Sequence, residues 1–142
     1  MSLEIIKSLV DELTTLHITR GVQPSDLVEN MFEDCYLEST SRKTADGVVL
    51  EITFQEQDED ERPNNVTMRY TYDKDRYLVL IEQKIATKRF SVQWDRASCI
   101  QRKIKKLESL LTANLPKHQV VAIMASMPKS FLKLSSKLQL VA

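Results

Sequence analysis

Hydrophobic positions near the N-terminus recur at helical spacing: Leu3, Ile6, Val10 and Leu13 form a stripe that Ile5, Leu9 and Leu16 widen. The spacing predicts a helix capped by Ser2, with Glu4, Lys7, Asp11 and Glu12 toward water and an end before Gly21 and Pro24. Pro24, Ser25 and Asp26 then open a short helical turn through about Glu33, its acids suited to the first turn of a helix dipole.

From Tyr36 onward the period changes to two, which marks a sheet. A weakly patterned strand, Cys35 to Lys43, is expected at an edge, where Arg42 and Lys43 discourage edge-to-edge pairing. Ala45-Asp46-Gly47 reads as a hairpin turn in which Asp-Gly supplies positive φ values. Val48, Leu50, Ile52 and Phe54 then alternate with Val49, Glu51, Thr53 and Gln55, the pattern of a half-buried strand. After the charged stretch QDEDERPNN, a solvated hairpin tip, Val66, Met68, Tyr70 and Tyr72 alternate with polar residues. YLVLIEQKI is apolar on both faces at its start, which predicts a central strand, and Phe90, Val92 and Trp94 are expected to face inward in the last one. Short turns between consecutive strands make an antiparallel meander the economical topology.

Asp95 is placed to cap a long helix whose stripe is Ala97, Ile100, Ile104, Leu107 and Leu111. Pro116 opens a shorter helix carrying Val120, Val121, Ile123, Met124 and Met127, and Pro128 restarts the chain once more. The fold class expected is α+β: a meander of four or five strands, an N-terminal helix and a helical C-terminal third. Residues 1–142 are read as one domain, with a helical segment 1–34, a sheet 35–94 and a helical segment 95–142. Ile52, Phe54, Met68, Tyr70, Val79, Ile81, Val92 and Trp94 are expected to share one core with Ile100, Ile104, Leu107 and Leu111.

A chain of 142 residues is long enough for one such core, and its 42% hydrophobic and 28% charged residues are ordinary for a globular fold. Apolar runs of a handful of residues fall short of the roughly 20 a bilayer span needs, and the N-terminus lacks the pattern of a secretory signal. A cytoplasmic location is expected, with the nucleus as the alternative. Cys35 and Cys99 are too few for a disulfide framework or a zinc site and are read as buried small groups. With only Gly21 and Gly47, neither a Walker sequence nor a dinucleotide fingerprint can be written. His17 and His118 stand apart from any second ligand or nucleophile, and the acids 58–61 lack the glycine and bidentate glutamate of a calcium loop. No cofactor, no metal and no catalytic residues are expected, and the protein is read as non-enzymatic.

Charge changes this picture most. Residues 1–61 carry four basic against fifteen acidic residues, and residues 62–142 carry sixteen against five, so a net charge of zero hides a dipolar chain. The basic residues gather on the long helix as Arg96, Arg102, Lys103, Lys105 and Lys106. A second group, Lys129, Lys133 and Lys137, recurs every four residues opposite Phe131, Leu134 and Leu138, the pattern of a basic amphipathic helix able to dock on a partner. These two groups are the candidate binding residues. The function expected is protein binding, as a small subunit, adaptor or chaperone-like module or as a homo-oligomer. Nucleic-acid contact through 96–106 is the alternative.

Overall fold

Helical spacing becomes helix and alternation becomes strand in the order read above. The structure, a computed structural model, describes residues 2–131. The fold is α+β. Its elements are α1 (Ser2–Ile18), α2 (Pro24–Val28) running into a 3-10 turn (Glu29–Phe32), β1 (Tyr36–Lys43), β2 (Gly47–Gln57), β3 (Pro63–Asp73), β4 (Leu78–Ile85), β5 (Ser91–Asp95), α3 (Arg96–Asn114) and α4 (Lys117–Ala125). The strands form one antiparallel sheet in sequence order, β1 and β5 at its edges. Among the described residues no helix is long and apolar enough to cross a membrane.

The described residues divide into two compact units, one of residues 2–19 and 97–131 and one of residues 20–96. In the helical unit Leu9 and Leu13 of α1 pack with Ile100, Ile104, Leu107 and Leu111 of α3, with Val120 of α4 and with Phe131. Ile6 and Leu16 flank this cluster, whereas Leu3, Ile5 and Val10 stay exposed. At the helical period the apolar stripe of α1 spans about 160°, with Ile6, Leu9, Leu13 and Leu16 at its middle and Leu3, Ile5 and Val10 at its margins.

In the sheet unit, register places Leu50 opposite Tyr70, Ile52 opposite Met68 and Phe54 opposite Val66, so the expected apolar residues do share one face. Leu27 packs on Leu50 and Ile52, flanked by Met31, Tyr36 and Tyr70. Each unit thus has its own cluster of buried side chains, and Val49, Val66, Tyr72 and Leu78 are buried in the sheet unit outside the second of them. Sheet order explains two further departures. β4 lies next to the edge strand, and only Leu78 in it is buried. Val92 pairs across from Glu82 on the polar face at the sheet margin, where it is 61% exposed.

The β1–β2 turn also differs from expectation. Ala45 and Asp46 are its two central residues: the Thr44 N–H donates to the Gly47 carbonyl at 2.9 Å, and the Thr44 hydroxyl accepts the N–H groups of Asp46 and Gly47. Asp46 keeps a negative φ. Gly47 is needed for close approach, because a Cβ there would overlap the Tyr72 carbonyl of the neighbouring strand.

The entry and exit of the sheet unit meet on one ring. The guanidinium carbons of Arg20 and Arg96 lie 5.2 and 4.3 Å from the centroid of Tyr77. Arg20 Nε also donates to the Asp75 carbonyl at 2.8 Å and Gln23 Nε2 to that of Arg76 at 3.1 Å, which fastens the incoming segment to the β3–β4 turn.

Candidate interaction surfaces

The basic helix α3 presents fewer cations than its sequence suggests. Arg102, Lys105 and Lys106 are exposed, but Lys103 Nζ reaches Glu12 Oε2 on α1 at 2.9 Å. Arg96 belongs to the sheet unit, where it stacks on Tyr77 and burial pulls its pKa down against the opposing influence of Tyr77 and Asp73. Lys129 is exposed, whereas Phe131 is fully buried, its ring meeting His17 edge-on at 5.7 Å between centroids. The Phe131 ring thus serves the chain's own core and offers nothing to a partner. Lys133, Leu134, Lys137 and Leu138 lie outside the described residues.

Apolar groups that face water mark other places. On α4, Val120 is buried while Val121 and Ile123 remain 58% and 36% exposed. In the sheet unit, the α2 and 3-10 segment repeats every four residues: Leu27 and Met31 turn into the core, and the next pair, Val28 and Phe32, turns outward. Phe32 is 93% exposed, an unusual position for an aromatic ring. Around it are Glu29, Glu33, Asp34 and Glu38, and no basic residue occurs between Arg20 and Arg42. Cys35, expected to be buried, is exposed in the same stretch, and Leu37 in the bulge that opens β1 is 48% exposed. Periodicity did carry a signal for Phe32, since it falls one step outside the Leu27 and Met31 spacing.

Two polar constellations of the sheet are structural in character. On one face Arg69 lies between Glu51 and Glu82: Nε and Nη2 donate to the Glu82 carboxylate at 2.9 and 3.0 Å, Nη1 stands 3.6 Å from Glu51, and Phe90 covers the guanidinium at 3.8 Å from its centroid. The Glu82 hydrogen bond is the main cause holding the Arg69 pKa above its usual value. On the other face Tyr72 donates its hydroxyl to the Val22 carbonyl at 2.7 Å, beside a cleft of about 330 Å³ lined in part by Gln23, Val48, Asp73 and Arg76. Burial, with smaller contributions from Tyr70 and Asp26, pushes the Tyr72 phenol up to about 12. Asp73 spends one carboxylate oxygen on the N–H groups of Asp75 and Tyr77, which makes it a turn residue. Among the described residues no three His, Cys, Asp or Glu side chains are grouped to hold a metal ion.

No family model matches the chain, and no match is found among curated proteins or among solved structures.

Proposed function

We propose that the protein is a protein-binding module whose contact surface centres on the margin formed by α2, the 3-10 turn and the start of β1. The observation that carries this reading is Phe32, 93% exposed and flanked by exposed Val28. Withdrawing a ring of this size from water is worth about 1.5 to 3 kcal/mol, and aromatic anchors dominate the energetics of interfaces. The acids around Phe32 favour a partner with an apolar socket and a basic rim, because unlike charges speed encounter and like charges reject the wrong partner. Val121 and Ile123 on α4 add support for protein contact. This reading is preferred to nucleic-acid contact through α3, since two of the five cations counted there, Lys103 and Arg96, already have partners within the chain.

A photoreactive amino acid placed at position 32, with a control at exposed Thr112 on α3, tests the proposal in cells that make the protein. A discrete protein adduct from position 32 and none from the control is the expected result. Equal, diffuse labelling from both positions would overturn it.

A further inference from the structure

The free edge of β1 has a charge pattern that is complementary to itself. As an edge strand, β1 pairs with β2 alone. Thr44 and Gly47 make a hydrogen-bonded pair, and in an antiparallel ladder such pairs alternate with non-bonded ones. Arg42, Thr40 and Glu38 therefore direct their backbone groups to β2, while Lys43, Ser41 and Ser39 direct theirs away from the sheet. Three N–H and C=O sets thus stand open along a stretch whose central side chains, Ser39, Thr40 and Ser41, are small.

We infer that the partner of this edge is a second copy of the chain, its β1 added antiparallel about a two-fold axis through Thr40. This rests on the protein-binding reading above and names the partner. Only registers that oppose outward-facing residues to outward-facing residues complete the ladder, which leaves those centred on single residues. Centring on Ser39 or Ser41 sets Glu38 and Arg42 against uncharged residues, and centring on Arg42 opposes Arg42 to itself. Centring on Thr40 opposes Glu38 of each copy to Arg42 of the other, twice by symmetry. Those pairs fall at non-bonded positions, where facing Cα atoms approach to about 4.5 Å and side chains on one face meet most closely. Ser39 and Ser41 then exchange backbone hydrogen bonds with Ser41 and Ser39 of the second copy.

The same register brings the β1–β2 turn of the second copy to the end of β1 from which the 3-10 turn departs, the end that carries exposed Phe32 and Leu37. β5 is a poorer edge for this purpose, with five residues against eight in β1. Arg42 and Lys43, read from sequence as guards against edge pairing, guard only against the registers that oppose them to themselves.

Sedimentation of the full chain over a concentration series is the test. Wild type is expected to form a reversible dimer. Glu38→Arg and Arg42→Glu, both at exposed positions, should each raise the dissociation constant about tenfold or more, two attractive cross-strand pairs having become repulsive. Mixing the two single variants one to one should restore a dimer, because each then supplies the charge that the other lacks. Ser41→Pro removes an outward N–H that the monomer does not use, so it should abolish the dimer and leave the circular dichroism unchanged. A monomer at every concentration, or a dimer indifferent to both charge reversals, overturns the inference. A monomer that still yields an adduct to a different protein from position 32 overturns only this pairing and leaves the protein-binding reading standing. A monomer with no such adduct overturns both.

Discussion

The helical unit and the sheet unit of this chain solve the problem of burial differently. Among the described residues of the helical unit, eight buried apolar side chains, from α1, α3 and α4 with Phe131, gather in one cluster. The sheet unit clusters Leu27, Leu50 and Ile52, buries Val49, Val66, Tyr72 and Leu78 outside that cluster, and adds cross-strand pairs and an arginine held between two carboxylates. One unit draws its buried apolar side chains into one cluster, and the other distributes them along a backbone ladder. Stability in the first is therefore concentrated in a few side chains, and in the second it is spread over many small contributions.

The sharpest way to break that contrast is at Ile104, 2% exposed in the helical cluster. Ile104→Ala is expected to cost about 2 to 5 kcal/mol, read from the urea transition of the helical signal at 222 nm. Trp94, the only tryptophan, lies in β5 and reports on the sheet by fluorescence. If the two signals shift together in this variant, the units unfold as one and the contrast describes composition alone.

A smaller effect is expected at Arg69. Its carboxylate partners are partly shielded, so Arg69→Met should cost about 1 to 2 kcal/mol, between exposed ion pairs and well-buried charged hydrogen bonds. The fluorescence transition of Trp94 should move. A variant as stable as wild type would show that Phe90 and the aliphatic stem, and not the charges, do the packing there.

The smallest effect concerns Tyr72. Losing the hydrogen bond to Val22 in Tyr72→Phe is expected to cost about 0.5 to 1.5 kcal/mol at neutral pH. Its phenol is pushed up to about 12 in the folded protein, against the ordinary value near 10.0. The unfolded chain therefore loses this proton first as pH rises, so the stabilisation is whole below about 10 and disappears as pH climbs through about 12. In Tyr72→Phe that alkaline decline should be shallower. Denaturation midpoints measured from pH 9 to pH 12 would check it, and parallel declines in both proteins would show that Tyr72 is not its source.

Much of this architecture was legible in the sequence because two periods, 3.6 and 2, are imposed by backbone geometry within each element. Leu50, Ile52, Met68 and Tyr70 share a face as alternation requires. What was not legible depends on neighbours distant in sequence. The apolar arc of α1 is wider than the strip its neighbours cover, so packing with Ile104 and Phe131 takes Leu9 and Leu13 near its middle and leaves Leu3 and Val10 at its margin. Val92 alternates correctly yet lies open, since strand order, not strand pattern, makes β5 an edge. Of the candidate binding residues, Arg102, Lys105, Lys106 and Lys129 are exposed as a binding role requires, while Phe131 is consumed by packing. The exposure of Phe32 depends on Leu27 and Met31 being the pair that packs on Leu50 and Ile52, which the spacing of so short a segment does not decide.

The meeting of Arg20 and Arg96 on Tyr77 has a practical consequence. A stretch of chain whose two ends come together at one aromatic ring has the form of a cassette, its entry and exit side by side. The same geometry lets the sheet be set into a surface loop of an unrelated host without prying that loop apart. Tyr77 works there as a clasp, reinforcing the Leu78 N–H that donates to the Arg20 carbonyl at 2.8 Å and the pairing of Asp95 with Leu80.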